Sequence, residues 1–299
     1  MTMMSDLPWE FVEEILGRVP AISLKRLRSS CKRWNRLFND KEFARNHFRK
    51  APKQSFVLTV TKESKISLMS LNLHGIPSLE FKGECSLLDY SNQVSKVFHC
   101  DGLLLCTFYK DARIMLWNRC TGGTRWIQQM KGSYLYALGS YQESSYKILS
   151  CRYSNVHEFA IYEVNSNSWR ILDVIPDFNL LYTCTYVSLK GKTYWFDSDS
   201  KDEQLDMFLV SFDYTTERFG RLSLPFNCPL GCFKDATLSV VSEEKLAVLL
   251  RRKNTWGKEI WVSNKIDGTN EVSWTKFLTV NYPERDNWIT MTRFFLNEE

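Results

Sequence analysis

The chain has 299 residues and a net charge of +5, with 44% hydrophobic, 14% aromatic and 24% charged side chains. That much apolar surface offsets the ordering entropy of folding and excludes a mostly disordered chain, while unbroken apolar runs such as Leu246 to Leu250 fall far short of the roughly 18–20 residues of a membrane-spanning helix. Charge is segregated: residues 25–53 carry 11 basic against two acidic side chains, a net of +9, residues 1–24 sum to −3 and residues 54–299 to −1, which excludes an extended nucleic-acid surface over the bulk of the chain.

The first predicted elements are helical. Leu7, Phe11 and Ile15 fall at i, i+4 and i+8, and Val12, Leu16 and Val19 form a neighbouring row. Asp6 ahead of Pro8 predicts a helix start, and Gly17 and Pro20 predict its end. Ser23 is placed to cap a second short helix through Leu24 and Leu27. A third is predicted near Cys31 to Phe38, with Trp34, Leu37 and Phe38 on one side, and Phe43 and Phe48 extend the pattern. Such short helices bury only a thin core, so one face must be covered by a partner or by the following domain.

Ala51 and Pro52 mark a break between domains at 1–50 and 51–299. Beyond it the sequence turns to short apolar or alternating runs separated by turn residues, which predicts an all-β region over 55–299. Loosely repeated units each contain a strand, a polar turn and a second strand opened by an aromatic: Trp126, Trp169, Phe219 and Trp274, spaced by 43, 50 and 55 residues. Five units are traceable, roughly 55–83, 97–127, 145–172, 186–222 and 238–278. This is the spacing of propeller blades; an irregular β-sandwich is the alternative. Tyr134–Tyr141, Asp177–Tyr182 and Asn254–Gly257 read as aromatic-bearing loops that are candidates for holding a target, although most of their aromatics equally suit packing against neighbouring strands, and no target-binding residues are named.

No residues assemble into a catalytic, cofactor-binding or metal-binding set. His47, His74, His99 and His157 occur singly, and nucleophile-elbow, phosphate-loop and dinucleotide motifs are missing. Cys228 and Cys232 lack a second ligand pair at zinc spacing, as do His99, Cys100 and Cys106. The acidic stretch from Asp197 to Glu203 reads as a hydrated hairpin tip. Nine cysteines at irregular spacing, with acids where a secretory leader would be basic, predict reduced thiols in a cytoplasmic and/or nuclear protein. The sequence therefore predicts a protein that is not an enzyme and has no cofactor, no nucleic acid and no membrane as partner.

Residues 7–20, LPWEFVEEILGRVP, with LKRLR at 24–28 and CKRW at 31–34, resemble an F-box. CDGLLLC at 100–106, LWN at 116–118 with Thr121 and Gly122, YKIL at 146–149 and IYEVNSNSWR at 161–170 resemble the F-box-associated (type 1), kelch-like β-domain of the large plant F-box family. The resemblance implies an α+β multidomain fold: an N-terminal three-helix F-box, then an all-β, propeller-like domain. It implies a substrate-recognition subunit of an SCF-type (Skp1–cullin–F-box) E3 ubiquitin ligase, joining a Skp1-like adaptor, and through it cullin and RING subunits, to a target protein. Leu7, Pro8, Ile15, Leu16 and Leu24 would lie against the adaptor, although Ile15, Leu16 and Leu24 equally suit the inside of the module. The basic residues Lys25, Arg26, Arg28, Lys32 and Arg33 would steer association with an acidic adaptor or simply form a solvated helix face. Ser30 stands where the F-box usually keeps an apolar residue, an expectation of slightly looser packing. Phe294–Glu299 resembles the opening of the family's last β-unit, which predicts an incomplete last blade with Trp288, Ile289, Phe294 and Phe295 on an unpaired edge. The alternative function is a binding or decoy protein, a truncated family member, that assembles no working ligase.

Overall fold

The computed structural model describes residues 7–19, 24, 27, 30–40, 42, 43, 46, 47, 56–60, 66–72, 78–84, 94–109, 111–118, 123–142, 145–153, 157–178, 186–198, 207–224, 233–241, 244–253, 257–266 and 272–281. It divides into two compact units, residues 1–129 and 130–299. The predicted last blade, with Trp288, Ile289, Phe294 and Phe295, lies outside the described residues, as do Cys228, Cys232 and the predicted caps Asp6 and Ser23.

The first unit begins with helices α1 (Trp9–Gly17) and α2 (Lys32–Leu37); Leu24 and Leu27 are also helical. A three-stranded sheet follows, in the order β1 (Phe56–Val60), β2 (Ile66–Asn72), β3 (Ser78–Glu84). A four-stranded sheet completes the unit: β4 (Val94–Cys100), β5 (Leu103–Phe108), β6 (Arg113–Asn118), β7 (Thr124–Gln128).

The second unit holds three more four-stranded sheets. The first contains β8 (Ser133–Tyr141), β9 (Ser145–Tyr153), β10 (His157–Glu163) and β11 (Ser168–Ile171). The next contains β12 (Val187–Leu189), β13 (Lys192–Ser198), β14 (Met207–Asp213) and β15 (Arg218–Leu222). The last contains β16 (Phe233–Val241), β17 (Lys245–Arg252), β18 (Gly257–Ser263) and β19 (Trp274–Asn281). Every sheet pairs its strands in sequence order and antiparallel. These are separate blade-type meanders, as in a propeller-like β-domain, and not the two facing sheets of a sandwich. Trp126, Trp169, Phe219 and Trp274 all fall in outer strands, β7, β11, β15 and β19.

Turn chemistry sets the registers. Asp101 and Gly102 both take positive φ, 46° and 81°, and close β4 onto β5 with Cys100 opposite Leu103; this is the two-residue turn whose twist matches antiparallel strands. Gly102 N–H donates to His99 Nε2 at 3.2 Å, so His99 serves the turn. Tyr134–Tyr141 is not a loop: it lies in β8, antiparallel to β9. Asp197 and Ser198 are not a hydrated tip either. Both are fully buried at the end of β13, where Asp197 accepts from Trp195 Nε1 (3.3 Å) and from its neighbour's backbone N–H (2.8 Å).

Alternation along β13 places its two faces in two cores. Tyr194 and Phe196 join Leu209, Leu238, Leu246 and Val248, packing this sheet on the last one. Trp195, on the opposite face, meets Phe178 and Phe219 at 6.2 and 6.1 Å between centroids, and Phe219 meets Phe159 of β10 at 4.8 Å. A charged latch crosses the same boundary. Lys147 of β9, 5% exposed, donates to the Tyr214 carbonyl (3.0 Å) and to Glu217 (2.7 Å), and Glu217 also takes Arg170 of β11.

Burial alone would raise the Glu217 carboxyl, but hydrogen bonds from Arg170 and Lys147 outweigh it, and the group titrates below its ordinary value. A carboxyl whose pKa is lowered by folding stabilises the fold above its unfolded pKa. That contribution is lost as pH falls through the folded value. Glu217→Gln is therefore expected to flatten the acid limb of melting temperature against pH. At neutral pH it should cost about 1–3 kcal/mol, because Lys147 stays buried without its counter-charge. A parallel offset at every pH, with an unchanged acid limb, would count against the latch.

Candidate functional site

Helix α1 begins without a side-chain cap. Pro8 is its N-cap residue, one position earlier than a first-turn proline, with φ −52° and ψ 144°. Its carbonyl accepts from Phe11 and Val12 N–H at 3.1 and 3.2 Å. Glu10 in the first turn suits the positive end of the helix dipole. The helix closes after Gly17, where Arg18 and Val19 N–H reach back to the Ile15 and Leu16 carbonyls.

The two apolar rows of α1 part company here. Val12 and Leu16 are 3% and 0% exposed, and they share a core with Leu24, Leu37, Phe38 and Phe43, with Trp9, Val19, Leu27 and Trp34 packed against it. Leu7, Phe11 and Ile15 are 36%, 62% and 41% exposed, and Pro8 is exposed beside them. Of the five residues expected at an adaptor, the structure brings Leu7, Pro8 and Ile15 to the surface, whereas Leu16 and Leu24 lie inside the module. Phe11 joins the surface row. The motif reading passed over it, although its i+4 spacing from Leu7 and to Ile15 was the available signal.

Further contacts tie the helical module together around α1. Asp40 Oδ1 accepts from Glu42 and Phe43 N–H, each at 2.9 Å, opening the helical stretch that carries Phe43 and His47. His47 Nε2 lies 2.6 Å from the Val19 carbonyl, just past α1, and its ring stacks on Phe43 at 6.0 Å between centroids. Burial lowers the His47 pKa against the opposing pull of that carbonyl. A carbonyl oxygen can only accept, so Nε2–H donates in this contact. Arg33 of α2 lies 3.7 Å from the Trp9 ring centroid. Ser30 is exposed, and its hydroxyl donates to the Leu27 carbonyl at 2.6 Å, so this polar residue leaves the core intact.

Among the described residues no group of three or more His, Cys, Asp or Glu is placed to hold a metal ion, and no helix is long and apolar enough to cross a membrane. What the geometry offers is non-covalent: a short row of apolar side chains on a preformed helix, suited to burial against another protein.

A small helical module with an uncovered apolar row, followed in one chain by blade-type meander sheets, is the build of a two-part binding protein. The chain belongs to the F-box proteins that carry an F-box-associated domain: residues 4–46 match the F-box domain and residues 57–299 the F-box associated beta propeller domain. It is similar to the probable F-box protein At5g47300 of Arabidopsis thaliana, at 55% identity over 94% of this chain and 70% of that one. It is also similar to the F-box/kelch-repeat protein At3g44120 of the same plant, at 46% identity over 98% of this chain and 81% of that one. Among solved structures, TolB from Acinetobacter baumannii aligns over 74% of this chain and 52% of its own, with a TM-score of 0.45 and 12% identity; a likeness that loose carries no functional argument.

Proposed function

We propose that this chain is a substrate-recognition subunit of an SCF-type E3 ubiquitin ligase. Its helical module would dock on a Skp1-like adaptor, which links it to cullin and RING subunits, and its β-domain would hold the target protein. The observation that carries the reading is the exposed row Leu7, Phe11 and Ile15 beside a buried parallel row on the same helix. An amphipathic helix has one apolar face to bury in its own core; a second, exposed one suits a partner. Leu7, Pro8, Phe11 and Ile15 form the proposed contact, with Leu16 and Leu24 supporting it from beneath. The chain itself would perform no bond-making step. It would act by holding a target near the ubiquitin donor, which converts an encounter between two free molecules into one at high effective concentration. A cytoplasmic and/or nuclear location belongs to this proposal.

Co-purification of the full chain with a Skp1-like protein and cullin tests it directly. The expected result is a stoichiometric complex that survives gel filtration. A monodisperse, folded chain that binds no Skp1-like protein would overturn the reading. Binding to the adaptor without cullin would favour the non-assembling alternative.

A further inference from the structure

The chain leaving β11 stays on its sheet for one more pairing, with Leu172 N–H donating to the Phe159 carbonyl of β10 at 2.8 Å. Exposure then alternates residue by residue as far as Phe178. Leu172 and Phe178 are 7% and 3% exposed, and Val174 and Pro176 between them are half-buried, whereas Ile171, Asp173, Ile175 and Asp177 are exposed. A period of two is that of an extended segment with one face inward, and a proline at 176 favours an extended backbone at Ile175. This strap is anchored beyond the sheet it leaves. Phe178 packs against Phe159 of β10, Trp195 of β13 and Phe219 of β15, at 6.4, 6.2 and 5.3 Å between ring centroids. Arg221 of β15 donates to the Asp177 carbonyl at 2.7 Å and pairs with its carboxylate at 2.9 Å. A strap fixed at both ends has little ordering entropy left to lose on binding.

Its outer face carries two β-branched apolar side chains, Ile171 at 56% and Ile175 at 95% exposed, alternating with two carboxylates. Residues 171–178 contain no lysine or arginine. β11 is the outermost strand of its sheet and pairs with β10 in continuous register, so its other backbone edge meets no strand of that sheet. The other large apolar residues exposed in the described sheets differ. Phe277 and Leu278 of β19 sit at a register shift beside Lys276, which pairs with Glu259; a bulge and a lysine are devices that blunt an edge. Tyr109 stands singly just past β5.

We infer that the outer edge of β11 and the strap receives an extended segment of a target protein whose side chains alternate apolar and basic; this rests on the reading that the β-domain holds the target. An added strand takes its affinity from backbone hydrogen bonds and its specificity from alternate side chains. Apolar residues would lie beside Ile171 and Ile175, and lysine or arginine beside Asp173 and Asp177, as opposite charges do across paired strands. An acidic segment would meet like charge at both aspartates.

The probe is a fluorescein-labelled octapeptide of alternating lysine and valine, titrated into the full chain by fluorescence anisotropy and followed by amide hydrogen exchange. Saturable binding is expected, with slowed exchange confined to β11 and the strap. Octapeptides of alternating glutamate and valine, or lysine and serine, should bind at least about tenfold more weakly. Ile175→Ser and Asp173→Lys should each weaken the lysine–valine peptide about tenfold or more with unchanged melting, since both side chains are exposed. No binding, equal binding of the lysine–serine peptide, affinity untouched by both variants, or slowed exchange elsewhere would each overturn the inference. So would a dimer of the free chain that Ile175→Ser dissociates, because the strap would then serve a second copy. A chain that joins a Skp1-like adaptor but ignores the peptide loses this inference alone, and one that holds the peptide at the strap but binds no adaptor loses the ligase reading alone.

Discussion

Replacing Phe11 with aspartate is expected to weaken binding of a Skp1-like adaptor by about two orders of magnitude or more while leaving the chain's own melting almost unchanged. Phe11 is 62% exposed in the free chain, so its removal costs the isolated fold little. Burying such a ring against a partner contributes roughly 2–3 kcal/mol, which is about 30- to 140-fold in affinity. A carboxylate in its place must also be desolvated without a counter-charge. Leu16→Ala is the mirror image. Leu16 is 0% exposed, so its loss should destabilise the module by about 2–5 kcal/mol and impair binding only through that. Melting and affinity measured on both variants make the test. If Phe11→Asp unfolds the chain, or leaves affinity unchanged, the exposed row of α1 is not the contact.

The second large effect lies in the β-domain. A Cβ added at Gly139 would sit 1.9 Å from Cε2 of Tyr214 and 2.2 Å from Cδ2. That ring has nowhere to go. It is fully buried and lies edge-on to Phe212 at 5.1 Å. Its backbone is tied by the Lys147 ammonium on its carbonyl and by its N–H on the Gly191 carbonyl. Gly139→Ala is therefore expected to cost about 3 kcal/mol or more, at the upper end of overpacking effects, or roughly 6–12 °C in melting temperature. In a Tyr214→Leu background the same substitution should cost less than about 1 kcal/mol, because the clash is with the ring. Equal losses in both backgrounds would place the cause in the β8 backbone and not in this contact.

Much of the architecture was legible because its signals are local. Period 3.6 gave way to period 2 after Pro52, and the aromatic that opens the second strand of each repeat marked β7, β11, β15 and β19. Asp101 and Gly102 can close β4 onto β5 because few other dipeptides accept two positive φ values. The misreadings share a cause: burial depends on neighbours that sequence spacing does not reveal. Tyr134–Tyr141 read as an aromatic-bearing loop, yet it lies in β8, and Gly139 is small because Tyr214, 75 positions away, occupies the space above it. Asp197 looked hydrated because it opens an acidic run, but Trp195 and the Ser198 backbone carry it inside. On α1 the two rows are equally apolar, so spacing alone could not say which faced inward. The side is set by Leu24, Leu37 and Phe43 arriving from other helices.

All strand pairs in the four-stranded sheets join sequence neighbours, and the meander β8–β11 is complete within residues 133–171. On a ribosome adding about 5–20 residues per second, roughly 2–8 s separate its first residue from its last, whereas a hairpin zips in about 1–10 µs. Each blade-type sheet can thus register its strands before the next has been translated, without waiting for distant sequence. Vectorial assembly of this kind also loosens the bond between segments in evolution. A turn can lengthen, or a rim residue change, in one meander while the hydrogen-bond ladders of the others keep their register. A scaffold of that kind can change what it holds without relearning how to fold.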